Sequence, residues 1–408
     1  MAHIAMESAS GSVGAPALRS VRVGELILGP RERSHLREVI DSNRLSYGPV
    51  TQKFENEFAR LHAVPFACFC NSGTSALQIA LAALKEQRGW KDGDEVIVPA
   101  VTFVASVNVI WQNGLTPVLV DVDPTTYNVD PAKIAAAITP RTRCIMPVHL
   151  MGLPCDMAPI LDLARRHDLA IVEDSCETMF ARYRGQPVGS FGDVACFSTY
   201  VAHFLVTGVG GFAVTRDREL ARLMRSLMNH GRDSIYISID DDAETGSPKF
   251  REIVDRRFRF ERIGYSYRCT ELEAAIGLGQ LEQWSEILAA RQACAAFYTR
   301  ELASLADVLQ LPTIPPDREH AFMVYPLVAR GDSMRPLVYY LEERGIETRD
   351  MLPLIHQPVY RSWLGADVGR RFPVADHLYE RGFYIGCHQY LNAEDMEHVV
   401  DSIRRFYA

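Results

Sequence analysis

Short apolar runs rich in β-branched residues recur through the first half of the chain, separated by patterns of helical period. The runs are FACFC (66–70), DEVIVPA (94–100), TPVLVDV (116–122), RCIMPVHL (143–150), AIVEDS (170–175), ACFSTY (195–200) and GGFAVT (210–215). Between them lie helical stretches such as TSALQIALAALKEQ (74–87) and APILDLARRHD (158–168). A strand that is apolar along its whole length must be covered on both faces, and intervening helices supply the cover. This order specifies an α/β domain over residues 20–260, built on a seven-stranded, mostly parallel sheet.

The second half reads differently. Residues 268–305 are helical but too long for one average helix, and AFMVYPLVA (321–329), RPLVYYLEERGIET (335–348) and AEDMEHVVDSIRRFY (393–407) follow. These suit a smaller C-terminal α+β domain over residues 261–408. Residues 1–19 carry no basic region before an apolar core, so they read as a disordered tail and not as a secretory signal. The polar segment 232–264 reads as a long excursion from the core, the kind of loop in which function concentrates.

Composition narrows the partners. A net charge of −8 over 408 residues argues against nucleic acid and anionic membrane surfaces. No apolar run reaches the roughly 18 residues that a membrane-spanning helix needs. Nine scattered cysteines, an odd number, read as reduced thiols in a cytoplasmic protein. His149, His356 and His388 stand far apart, with no HExxH or CxxC, so no metal site is expected. DDDAETGS (240–247) fails as a calcium loop: Gly246 comes one place late and Arg251 occupies the twelfth position.

In open α/β sheets ligands bind beyond the carboxyl ends of the strands. NSGTSAL (71–77) follows the first strand and opens a helix. It reads either as a capped tight turn or as a phosphate cradle of free N–H groups. VEDSCET (172–178) ends another strand with two adjacent carboxylates, one suited to capping and one to pairing a protonated ring nitrogen. Phe103 in TFVA (102–105) suits stacking on a planar ring, or simply the core. FSTY…GVGG (197–211) offers Ser198 as a second phosphate donor.

Together with DEVIVPAVTFVAS, PVLVDVDPTTYNVD, MPVHLMGLPCDM, GSFGDVACFS, NHGR, GYSYRCTELEAAIGLGQL and LIHQPVY, these motifs make residues 45–400 resemble one family. It is the DegT/StrS-type sugar aminotransferases, pyridoxal-phosphate enzymes of fold type I that act on nucleotide-linked keto-sugars. The resemblance implies that Gly73, Thr74 and Ser198 hold the cofactor phosphate. It also implies that Phe103 stacks on the ring and Asp174 pairs the pyridine nitrogen. Glu177 stands near the phenolic oxygen, where the family usually has Gln. Ser266 replaces an Asn that in relatives reaches the partner subunit's cofactor phosphate, and a homodimer is implied. His149 and His356 are candidates for lining the sugar pocket. Arg349 and the arginines of DRRFRFER (255–262) are candidate diphosphate ligands, with ordinary surface charge as the alternative.

The family lysine falls five residues after Ser198, at His203, and no lysine occurs anywhere in 197–217. Imidazole has no primary amine, so it cannot form a Schiff base. The cofactor, PLP or PMP, is then bound non-covalently. Relatives with this change are sugar 3-dehydratases, in which pyridoxamine phosphate brings its own amine to a 4-keto sugar. A histidine serves there as the base for expulsion of the hydroxyl at carbon 3. The cluster-bearing branch needs cysteines in a local framework, but Cys176, Cys196 and Cys269 are dispersed and the only C-x-C is CFC (68–70). The cluster-free branch, with glutamate regenerating the amine form, is therefore expected. Phe204, where the family often has Asn or His, and Val209, in place of the acid of a GEGG-like turn, depart from the family pattern, and LIHQPVY resembles the aminotransferase branch more than the dehydratases. They leave two alternatives, an aminotransferase-like enzyme and a catalytically degenerate binding protein.

Overall fold

The apolar runs form strands within one or two residues of the expected bounds, except RCIMPVHL (143–150), whose strand ends at Ile145. In the computed structural model, which describes residues 19–233, 250–256, 258–331, 333–352 and 354–408, the first are β1 (Phe66–Cys70), β2 (Glu95–Pro99), β3 (Thr116–Val120), β4 (Thr142–Ile145) and β5 (Ala170–Asp174). A small hairpin, β6 (Arg182–Tyr183) and β7 (Gln186–Pro187), precedes β8 (Val194–Ser198) and β9 (Gly211–Thr215). The large sheet has the order β1-β9-β8-β5-β4-β2-β3. All its pairings are parallel except those of β9, which runs antiparallel to both β1 and β8. Gly211, the first residue of β9, therefore sits opposite Cys70 and Ser198. The reversed strand thus delivers its glycines to the same edge as the carboxyl ends of the others.

Helices α1 (Pro30–Ser42) and α2 (Pro49–Leu61) precede the sheet. Helices α3 (Gly73–Arg88), α4 (Val104–Gln112), α5 (Pro131–Ala137) and α6 (Met157–His167) connect its strands, and α7 (Arg218–Met228) and α8 (Phe250–Arg256) follow. Strand side chains alternate between faces. Val96 and Val98 join the larger core cluster, whereas Ile97 faces Ile134, Ile160 and Leu163 of α5 and α6. All are nearly inaccessible to solvent, which is why the middle of β2 is apolar on both faces. Each such side chain contributes about 1.5–3 kcal/mol by leaving water. On the α2 side of β9, Phe212 stacks on Phe58 with centroids 3.9 Å apart.

The helical stretch 268–305 divides into α9 (Glu271–Leu281) and α10 (Trp284–Leu302). Thr270 and Glu273 form a capping box that starts α9. The remaining elements are β10 (Leu309–Gln310), β11 (Val324–Ala329), α11 (Arg335–Glu342), β12 (Thr348–Asp350), α12 (Pro358–Leu364), α13 (Val368–Arg371), α14 (Pro373–Arg381), β13 (Gly382–Gly386) and α15 (Ala393–Tyr407). The four strands form an antiparallel sheet of order β10-β11-β13-β12. Among the described residues no helix is long and apolar enough to cross a membrane. The expected tail, except Arg19, lies outside the described residues, as do the acidic loop 240–247 and about half of the polar segment 232–264.

Candidate active site

The turn after β1 is the capped tight turn that NSGTSAL allows. Ser72 caps α3, its side chain accepting from the Ser75 N–H at 3.0 Å. The cap leaves the Gly73 and Thr74 N–H groups, at the first positions of the helix, without intrahelical acceptors. A Cβ on Gly73 would lie 2.7 Å from Cys176 Sγ and 2.8 Å from Ser198 Cβ. Glycine is thus what lets the start of α3 approach the ends of β5 and β8. This makes a concave, donor-lined end of the kind that holds a phosphate.

Asp174 closes β5 in the same cluster. It is buried, accepting from Ser106 Oγ at 2.7 Å and from the Cys176 N–H at 3.2 Å. Burial pushes its carboxyl above the ordinary range, against those two donors. Among the described residues no cation pairs with it. A protonated ring nitrogen is the partner such a carboxylate lacks. Phe103, the N-cap of α4, is 58% exposed, an unusual state for a large aromatic residue and one suited to stacking on a ring. Its carbonyl accepts from the Ser106 N–H at 3.2 Å, so one helical turn sets both the stacking face and the donor to Asp174. These residues fit pyridoxal phosphate: donors for its phosphate, an aromatic face for its ring and a carboxylate for its nitrogen.

Glu177 follows on the same loop and accepts from the Met151 N–H at 2.9 Å. Burial raises its carboxyl to about 7, with Asp174 adding to the effect and the Met151 N–H opposing it. It is therefore a proton donor below about pH 7 and an acceptor above. The absorbance of the cofactor-loaded protein is expected to titrate near that pH. Glu177→Gln, a donor at every pH, should abolish the transition. An unchanged midpoint in the variant would separate Glu177 from the cofactor.

His203 lies in the turn between β8 and β9, half-buried. Its Nδ1 is 3.2 Å from the Tyr200 carbonyl. A carbonyl only accepts, so Nδ1 carries the proton and Nε2 holds the free lone pair. Burial lowers the imidazole to about 4, the Tyr200 carbonyl opposing and Arg291 assisting. The turn is pinned at its neck by Thr199 Oγ1 and Thr207 Oγ1, 2.6 Å apart. Gly208 there adopts φ +88°, a conformation that favours glycine.

Other expected residues stand elsewhere. The structure does not bring His149 to a ligand surface. It is fully buried, with Nδ1 accepting from the Cys155 N–H at 3.0 Å and Nε2 3.1 Å from Glu173. It belongs to the support beneath β5. His356 is 2.7 Å from Asp376 and stacks on Tyr379, at the rim of a cavity of about 640 Å³ also lined by Arg361 and Arg370. Arg349 is exposed and paired with Glu347. Ser266 is exposed beside Arg268. Of the two adjacent carboxylates, strand alternation turns Glu173 away from the Asp174 side. It accepts from the Gly189, Phe191 and Gly192 N–H groups instead of capping a helix. Sequence reading missed Ser106, although it lies three residues after Phe103. It also missed Tyr360, whose hydroxyl bonds Asn108 at 2.8 Å and the Val104 carbonyl at 3.3 Å. Among the described residues no group of three or more His, Cys, Asp or Glu side chains is placed to hold a metal ion.

The model of the DegT/DnrJ/EryC1/StrS aminotransferase family matches residues 27–404. The chain is 38% identical to a GDP-perosamine synthase of Caulobacter vibrioides, over 92% of this chain and 95% of that protein. It is 33% identical to a dTDP-4-dehydro-2,6-dideoxy-D-glucose 3-dehydratase of Saccharopolyspora spinosa, over 95% and 87%. Among solved structures, DesV of S. venezuelae, in complex with a ketimine intermediate, superposes with a TM-score of 0.81 at 33% identity, covering 92% of this chain and 94% of that one.

Proposed function

Because the chain belongs to the DegT/DnrJ/EryC1/StrS aminotransferase family, whose members depend on PLP or PMP, we propose that it is a 3-dehydratase of a nucleotide-linked 4-keto sugar. The observation that carries this reading is His203, which stands where the tethering lysine is expected and keeps Nε2 free for a proton. The four lysines among the described residues, Lys53, Lys85, Lys91 and Lys133, lie on α2, at the end of α3, before β2 and on α5.

The bound pyridoxamine form would supply an amine for the sugar carbonyl and a ring that accepts an electron pair. The rest is work for this chain. The first N–H groups of α3 and the Ser198 hydroxyl hold the phosphate, and Phe103 fixes the ring plane. The Asp174 carboxylate, oriented by Ser106, keeps a proton on the ring nitrogen. His203 Nε2 would take the proton from the cofactor's methylene carbon while its Nδ1–H stays on the Tyr200 carbonyl. The proton then held on Nε2 is available to the departing hydroxyl at sugar carbon 3. Hydrolysis would then release a 3-deoxy-4-keto sugar and ammonia, and glutamate, oxidised to 2-oxoglutarate, would restore the amine form. The reading includes a homodimer in the cytoplasm.

Two measurements test it. Glutamate should convert the PLP form to the PMP form, followed by absorbance without any sugar. With a nucleotide-linked 4-keto sugar, mass spectrometry should show the oxygen of carbon 3 lost. A 4-amino product retaining that oxygen would assign amino transfer, the reading favoured by the likeness to the perosamine synthase.

A further inference from the structure

Arg291, on α10, is 2% exposed. Its Nη2 donates to the His203 carbonyl at 3.0 Å. Its Nη1 donates to the carbonyls of Met323 and Cys387, both at 2.8 Å, and at 3.4 Å to that of Phe322. The guanidinium lies over the Phe204 ring, 4.7 Å from its centroid. Among the described residues no carboxylate pairs with it, and its buried Nε finds no acceptor. A buried cation without a counter-ion is costly, because carbonyl dipoles and an aromatic face replace only part of its hydration. A neutral side chain could bridge these backbones at less cost. The charge and its fork therefore call for a role beyond packing.

The carbonyls it gathers define that role. Met323 leads into β11 and Cys387 follows β13, so one end of the fork holds the four-stranded sheet. The other end holds the turn that carries His203. Phe204, a departure from the family pattern, is the aromatic floor beneath the guanidinium. The same turn is held on its far side by Gln280, whose side chain accepts from the Val206 N–H at 2.8 Å.

We propose that Arg291 is the positioning residue for His203, fixing the histidine-bearing turn against the four-stranded sheet so that Nε2 is held in place for proton transfer. This rests on the reading of His203 as the base. The cation also opposes a second positive charge on the nearby imidazole. The other titratable groups in this neighbourhood are Tyr200, with ring centroid 6.5 Å from that of His203, and Cys294, Cys387, His388 and Tyr390 around the guanidinium.

The test combines two variants of the full-length protein with His203→Asn, which assigns the His203 imidazole signal by NMR. Arg291→Met removes charge and fork. It should move the His203 titration up towards the ordinary histidine range and slow the glutamate half-reaction by on the order of 10²-fold. Arg291→Lys keeps the charge and loses the fork. It should leave the titration in place and still slow the half-reaction by roughly tenfold. Wild-type rate and wild-type titration in both variants would overturn the proposal. If Arg291→Met does not fold, a wild-type rate in Arg291→Lys overturns it alone. An undiminished rate in His203→Asn would overturn the reading of His203 as base. A titration shift in Arg291→Met would still establish the contact between the two residues.

Discussion

His203→Asn lowers the rates of the glutamate half-reaction and of deoxygenation by about 10²–10⁴-fold, the range expected when a positioned base is removed. The amide fills the space of the ring but has no lone pair basic enough to take a proton from carbon. The fold should be unaffected, since His203 is half-buried and its one side-chain bond is to the Tyr200 carbonyl. Wild-type protein loaded with PLP should gain no covalent pyridoxyl group on borohydride treatment, whereas His203→Lys should gain one, read by intact mass. Covalent capture in the wild type would end the dehydratase reading. The pH profile adds a signature. With the imidazole lowered to about 4, the base is neutral well below the pH at which an ordinary histidine protonates, so the acid limb of kcat/KM should lie on the acid side of 6.5.

Glu173→Gln destabilises the protein by about 3–5 kcal/mol, the usual result of breaking a buried charge network from one side. The Glu173 carboxylate accepts from three backbone N–H groups at 2.7–2.8 Å and from His149 Nε2 at 3.1 Å. The amide turns one acceptor oxygen into a donor and sets it against another donor. Burial works to raise the Glu173 carboxyl, but His149 and the Gly192 and Gly189 N–H groups outweigh it and hold it low. A depressed carboxylate contributes stability above its unfolded pKa and loses it as pH falls through the folded value. The wild-type contribution should therefore be complete at neutral pH and disappear only in acid. Urea unfolding at pH 7 measures the difference. A change below about 1 kcal/mol would show that the network contributes little. Asp174→Asn, one residue away, should do the opposite: melting nearly unchanged, with activity lost by on the order of 10²–10³-fold.

That contrast marks where sequence reading stops. VEDSCET shows two carboxylates at a strand end, and period-two alternation implies that they face opposite ways. Only the turn at 189–192, folded under β5, reveals that Glu173 serves the scaffold. The seven strands were legible because each is a short apolar run bounded by turn residues. The reversed direction of β9 was not, since nothing in GGFAVT distinguishes a parallel from an antiparallel strand. His149 looked like a pocket residue because a histidine at a strand end has no local mark of burial. Arg291 gave no signal at all. Inside a long helix it reads as surface charge, and only the backbones of two distant segments make it otherwise.

The pairing of β1 with β9 also bears on how the protein is made. Cys70 and Gly211 are partners separated by 141 residues of chain. On the ribosome, β1 is synthesised early and has no strand to bond until β9 emerges. At about 5–20 residues per second, that interval is on the order of ten seconds. Throughout it, an apolar FACFC segment with two thiols is open to oxidation and to pairing with other nascent chains. Soluble yield should therefore depend on elongation speed between residues 71 and 211 and on holdase supply, even for variants whose finished structure is as stable as the wild type.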